Sequence, residues 1–133
     1  MKELFLADTQ IIIWSLINPA KIFPNVRSVL QTSTVFVSEI SLFEIAIKQK
    51  INRLPDLTLS VDELTSQLVS DGFRLMPIER KHIFAYSQIP LYDDHRDPFD
   101  RLLLATALVE GLTVISSDKN FTYYTNQIRL LEA

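Results

Sequence analysis

Apolar positions along the chain fall into short blocks whose lengths alternate. Leu4-Phe5-Leu6-Ala7 is a strand-length run stopped by Asp8, and Ile11–Leu16 follows at helical length before a polar close at Asn18-Pro19. Pro24–Gln31 reads as a second short helix. Val35-Phe36-Val37, β-branched and aromatic, reads as a strand leading to Ser38. From Ile40 to Ile51 apolar residues fill most positions, which predicts a helix buried on nearly all sides, with Glu44 as its one internal acid.

The alternation continues through the second half. Ser60–Ser70 is an amphipathic helix ended by Gly72, and Phe73–Ile78 is a strand closed by a proline. Glu79–Gln88 predicts another helix. After the polar stretch Tyr92–Arg96, Asp97-Pro98 supplies an N-cap and a first-turn proline for a helix running to Glu110. Leu112–Ile115 is then a strand leading to Ser116-Ser117-Asp118, and Ile128–Leu131 a last one. Gly72 and Gly111 each stand between a helix and a strand, where a left-handed residue closes the helix. Strands alternating with helices predict an α/β fold, an open parallel sheet covered on both faces, in one domain spanning 1–133. Such sheets carry their functional groups at the carboxyl ends of the strands, where strand order reverses.

Composition narrows the chemistry. There is no cysteine among the 133 residues, so disulfides, thiolate metal sites and cysteine nucleophiles are excluded, and any metal must be held by oxygen or imidazole. The most apolar stretches, Ile11–Ile17 and Leu102–Val109, fall far short of the ~20 residues that span a bilayer. Lys2 is followed at once by Glu3 and Asp8 rather than by an apolar run, so no export signal is read and a cytoplasmic, membrane-free protein is expected. A net charge of −3 argues against nucleic-acid binding through a basic surface alone, so cations must bridge any such contact.

Four acids then stand out. Asp8 ends the first strand, Asp118 follows the fourth, Asp100 lies in the first turn of the Asp97-Pro98 helix, and Glu44 sits inside the helix after the second strand. Carboxylates brought together repel one another and raise one another's pKa, so such a cluster makes sense around a cation, and oxygen ligands select magnesium or manganese. Each acid also has an ordinary structural role open to it. Asp8, Asp97 and Asp118 can be N-caps, Asp100 and Glu44 can be N3 residues of capping boxes, and Glu44 can pair with Lys48. Ser116 can orient a water or phosphate, or simply bond local backbone. His95, Arg96, Lys48, Arg101 and Lys119 flank the acids as possible phosphate contacts, and Trp14 fits a core or a subunit interface.

Four blocks carry a resemblance: Leu6-Ala7-Asp8-Thr9; Ser41–Lys48; His95-Arg96-Asp97-Pro98-Phe99-Asp100-Arg101 running on to Ala105; and Ile115-Ser116-Ser117-Asp118. In this order and spacing they resemble the motifs of PIN domains, and among these the VapC-type toxins, over nearly the whole chain. The resemblance implies a three-layer α/β/α sandwich with a central parallel sheet. It implies Asp8, Glu44, Asp100 and Asp118 as catalytic, metal-binding acids, with Ser116 and Asp97 in support. It further implies cleavage of RNA with Mg2+ or Mn2+, a homodimer, and inhibition by a small antitoxin protein that inserts a segment into the acidic groove. Gln10 stands where related sequences often have histidine, and Phe43 where tryptophan is frequent; neither is among the four acids. A magnesium-dependent phosphohydrolase is disfavoured because Gln10 occupies the second acid of its D-x-D pair. A catalytically silent module of the same fold is the other alternative.

Overall fold

The computed structural model describes residues 2–133. Five strands, β1 (Leu4–Ala7), β2 (Thr34–Ser38), β3 (Arg74–Met76), β4 (Thr113–Ser116) and β5 (Leu130–Glu132), form one parallel sheet in the order β3-β2-β1-β4-β5. The helices are α1 (Thr9–Ile17), α2 (Pro24–Thr32), α3 (Glu39–Lys50), α4 (Val61–Ser70), α5 (Arg80–Ala85) and α6 (Pro98–Glu110). A 3₁₀ turn at Pro19–Lys21, another at Tyr86–Gln88 and a 3₁₀ segment at Lys119–Tyr124 complete the set.

The side-chain alternation of a strand sorts the core into two layers. Phe5 and Ala7 of β1 pack with Ile11, Ile12, Ile13, Val26, Leu64 and Leu68 on one face. Leu6 packs with Leu103, Leu104, Ala107, Phe121 and Tyr124 on the other. The result is an α/β/α sandwich. Because β1 pairs with β2 on one side and β4 on the other, the chain reverses direction across the sheet between β1 and β4, and the switch point lies at their carboxyl ends.

Local chemistry explains the helix ends. The Asp97 carboxylate accepts from Phe99 N (2.8 Å) and Asp100 N (3.3 Å), Pro98 opens α6, and Gly111 closes it at φ 68°, where a Cβ is disfavoured. Gly72 likewise has positive φ. Several expectations need adjustment. Helix α1 begins two residues earlier than its apolar block, because Asp8 caps it. The strand expected over Phe73–Ile78 is only three residues long, as befits the sheet edge.

The larger correction concerns α3, which is not buried on nearly all sides. Ser41, Glu44 and Ile45 face inward, while Phe43, Ile47 and Ile51 lie exposed at four-residue intervals along one line. The helix straddles the sheet edge, Leu42 and Ile45 touching one core layer and Ile40 the other, so one stripe is left outside. Nor does Ser41 open a capping box with Glu44. Ser38 caps α3 through Ile40 N, which puts Ser41 inside the helix.

Candidate active site

The carboxyl ends of β1 and β4 are joined at the switch point. Asp8 N donates to Ile115 O (3.0 Å), and the Asp8 Oδ1 accepts from Ile11 N (3.0 Å), so Asp8 is indeed the cap of α1. Its Oδ2 accepts a short hydrogen bond from the Ser116 hydroxyl. Ser116 Oγ in turn accepts from Asp118 N (3.0 Å), and Asp118 Oδ1 caps the last 3₁₀ segment through Asn120 N (2.9 Å). Ser116 therefore ties Asp8 to the turn that carries Asp118.

Glu44 reaches the same place from α3. The Thr9 hydroxyl, one residue beyond Asp8, donates to Glu44 Oε1 (2.7 Å) and lies 2.9 Å from Ser41 Oγ. The other Glu44 oxygen is 3.3 Å from Lys48 Nζ, an i,i+4 pair. Asp100 approaches from the first turn of α6, and its Oδ2 lies 3.1 Å from His95 Nε2. It does not complete a capping box with Asp97: its carboxylate turns to His95 instead.

Burial and mutual repulsion leave a clear electrostatic signature. Asp8 is only 4% exposed, and its carboxyl is pushed up to about 6, by burial first and then by the charges of Asp118 and Glu44, with the bonds from Ser116 and Ile11 partly offsetting this. Burial likewise pushes Asp100 up to about 7. His95 partly offsets that rise, and the charges of Asp97 and Asp8 add to it. Asp8 and Asp100 thus each feel the charge of at least one other acid. His95, Asp100 and Asp118 each offer a ligand atom within 4.8 Å of the others. A set of crowded, partly desolvated carboxylates fits a hard divalent cation, which would relieve the repulsion.

The remaining candidates divide. Asp97 caps α6, and its charge reaches Asp100. Lys48 pairs with Glu44. Arg96 and Lys119 are exposed, with no carboxylate within ion-pair distance among the described residues. Arg101 corrects the expectation of a phosphate contact. It is buried, its guanidinium donating to the Tyr86 hydroxyl (2.8 Å) and Ile89 O and lying over the Tyr86 ring, so it pins α6 to the segment after α5. Trp14 is half-buried against the first core layer, with Lys21 over its ring.

Sequence reading missed Thr9 and Ser41, small hydroxyl residues with no periodic signal. His95, expected as a possible phosphate contact, is instead buried, with its side chain 4% exposed. A second cluster, Glu79-His82-Glu110, lies between α5 and α6. His82 Nδ1 accepts from Glu79 N (3.1 Å), so Nε2 carries the hydrogen and donates to Glu110 (2.7 Å), whose same oxygen also pairs with Lys81. With no lone pair left on the ring, this cluster is a helix clamp.

An acidic cluster at the switch point of a five-stranded parallel sheet, within an α/β/α sandwich, defines a class of compact acid-site domains. The chain belongs to the PIN domain family, whose model matches residues 5–126. No curated protein matches the sequence. Among solved structures, it is similar to VapBC2 from Rickettsia felis bound to a DNA fragment from their promoter (TM-score 0.68, 17% identity, covering 97% of this chain and 98% of that one). It is similar also to DNA-bound VapBC from Salmonella typhimurium (0.68, 19%, 99% and 98%) and to VapBC-5 from Mycobacterium tuberculosis, a member of the VapBC family of toxin–antitoxin systems (0.58, 14%, 98% and 98%). Among the described residues no helix is long and apolar enough to cross a membrane.

Proposed function

We propose that this protein is a metal-dependent endoribonuclease, the VapC-type toxin of a toxin–antitoxin pair, acting in the cytoplasm with Mg2+ or Mn2+. The observation that carries the reading is the convergence of Asp8, Glu44, Asp100 and Asp118, from four separate segments, on one sheet edge where two of them are held well above the usual carboxylate range. Capping accounts for Asp8 and Asp118 singly but gives no reason for their mutual approach. The family membership and the toxin–antitoxin neighbours support the same reading.

In this reading the four acids hold the cation. A divalent ion so held supplies positive charge to the scissile phosphodiester and makes the attacking water more acidic. Ser116 keeps Asp8 and Asp118 in register, and Thr9 and Lys48 fix the two oxygens of Glu44. Arg96 and Lys119, exposed near the acids in sequence, are free to meet RNA phosphates. The test is cleavage of total RNA by the purified protein with Mn2+ or with chelator, mapping new 5′ ends, with Asp118→Asn run alongside. New ends that need both metal and Asp118 are expected. Their absence from folded, Mn2+-binding protein would leave a silent binding module.

A homodimer is proposed as well, supported by the exposed Phe43-Ile47-Ile51 stripe and by Phe99, whose ring lies 6.1 Å from that of Phe43. A contiguous apolar surface of this kind seeks a partner. Light scattering at micromolar concentration is expected to give twice the chain mass, and Ile47→Glu to give a folded monomer. A wild-type monomer would remove this part of the reading.

A further inference from the structure

His95 occupies a place that neither capping nor phosphate contact explains. It is buried in a loop, with both ring nitrogens engaged: Nδ1 lies 2.7 Å from the Tyr124 hydroxyl, and Nε2 lies 3.1 Å from Asp100 Oδ2. Its ring also packs against Phe121 and Tyr124, at 5.6 and 5.5 Å between centroids, so its position is set by packing as well as by hydrogen bonds.

The direction of these bonds follows from what each partner can do. Tyr124 is buried, which raises its pKa and keeps the hydroxyl protonated. The Arg101 guanidinium beside it can only donate. Among the described residues the one acceptor facing that hydroxyl hydrogen is His95 Nδ1. The ring hydrogen then sits on Nε2 and points at Asp100 Oδ2. With that hydrogen in place Nε2 has no lone pair to offer a cation, although its position beside Asp100 and Asp118 is close enough for one. One oxygen of Asp100 is thereby held by the ring, and among the described residues Oδ1 takes no hydrogen bond and is left for a cation.

The topology gives the contact a wider role. Tyr124 is the last residue of the 3₁₀ segment that Asp118 opens, and Asp100 belongs to α6. The line Asp100-His95-Tyr124 is thus a side-chain brace between the two elements that carry Asp100 and Asp118. We propose that His95 is a positioning residue, aimed by Tyr124, that orients the Asp100 carboxylate toward Asp118 and so sets the geometry of the cation site. The proposal rests on the nuclease reading only in taking Asp100 as a ligand.

The experiment uses the intact protein and Mn2+ alone, without RNA. In the metal-free protein, long-range proton–nitrogen NMR of the His95 ring is expected to show hydrogen on Nε2 and a bare Nδ1. Mn2+ titration followed by electron paramagnetic resonance is expected to show about a 10- to 100-fold weaker affinity in His95→Gln. Tyr124→Phe, which keeps ring and volume and so guards against misfolding, is expected to show a loss toward the lower end of that range and a ring hydrogen no longer fixed on Nε2. Hydrogen on Nδ1 in the wild type, unchanged affinity in a folded Tyr124→Phe, or a nitrogen coupling to bound Mn2+ that makes His95 itself a ligand would each overturn the proposal. Wild-type protein that cleaves RNA while the variants bind Mn2+ normally would overturn the brace and leave the nuclease reading standing. Wild-type protein that binds no Mn2+ would overturn the cation site itself, and the brace's role in it.

Discussion

Asp8→Asn is expected to abolish cleavage and, in the same sample, to stabilise the metal-free fold. The activity loss follows, on the proposed function, from removing one of the charges that would hold the cation. The several kcal/mol of charge stabilisation that a bound divalent ion contributes correspond to about a 10³-fold loss in rate. The stability gain follows from the burial of this carboxyl, whose charged form is disfavoured in the folded protein. A rise from 3.8 to about 6 corresponds to a folding penalty of about 3 kcal/mol for the charged group at pH 8. Asparagine carries no charge and caps helices as well as aspartate does, so the bond from Ile11 N survives. Urea unfolding at pH 8 with chelator, alongside RNA cleavage with Mn2+, reads both effects. A destabilised Asp8→Asn would make Asp8 a structural cap first.

The second large effect is an inverted pH dependence of stability, removable by metal. Asp8 and Asp100 have folded-state pKa values raised above their ordinary value, so the stability they contribute is fully present below about pH 4 and is lost as pH rises through 6 to 7. Glu63 and Glu110 are shifted the other way, by bonds from Ser60 and from His82, and their contribution is lost only as pH falls below the usual glutamate range. Between pH 5 and 8 the raised aspartates therefore dominate. The chelated protein is expected to melt lower at pH 8 than at pH 5. Mn2+ at a hundred times its dissociation constant should restore about 2.7 kcal/mol at pH 8, and much less at pH 5, where protons compete for the same oxygens. Thermal melts at both pH values, with chelator and with Mn2+, decide the matter; equal melting temperatures throughout would refute it.

How much of this was legible in the sequence depended on the kind of signal each feature leaves. Strand-length runs and capping residues leave local marks, so all five strands, the α6 boundaries and both left-handed glycines could be read directly. The acids were legible through their placement after strands and at a helix start. Burial was less so. In α3 apolar residues serve two purposes, core and exposed stripe, and composition does not separate them; Phe43 and Ile45 differ only in which side of the helix they stand on. Arg101 and His95 were misread for a related reason. A charged or polar residue in a loop or first turn looks solvated until tertiary structure supplies Tyr86, Ile89 and Tyr124 as partners. The 3₁₀ segment Lys119–Tyr124 has too few residues to show a period.

The central position of β1 has a consequence for how the active state comes into being. The strand made first must pair with β4, which is made more than a hundred residues later, and the Ser116–Asp8 bond closes a loop of almost the whole chain. Parallel pairings so far apart in sequence are slow to form, because loop closure must precede the contacts that reward it. A nascent chain therefore emerges from the ribosome with Asp8 and Glu44 but without Asp100, Ser116 or Asp118 beside them. Assembly of the acid cluster and completion of the sheet are one late event, so an unfinished chain cannot carry the activity of the finished one.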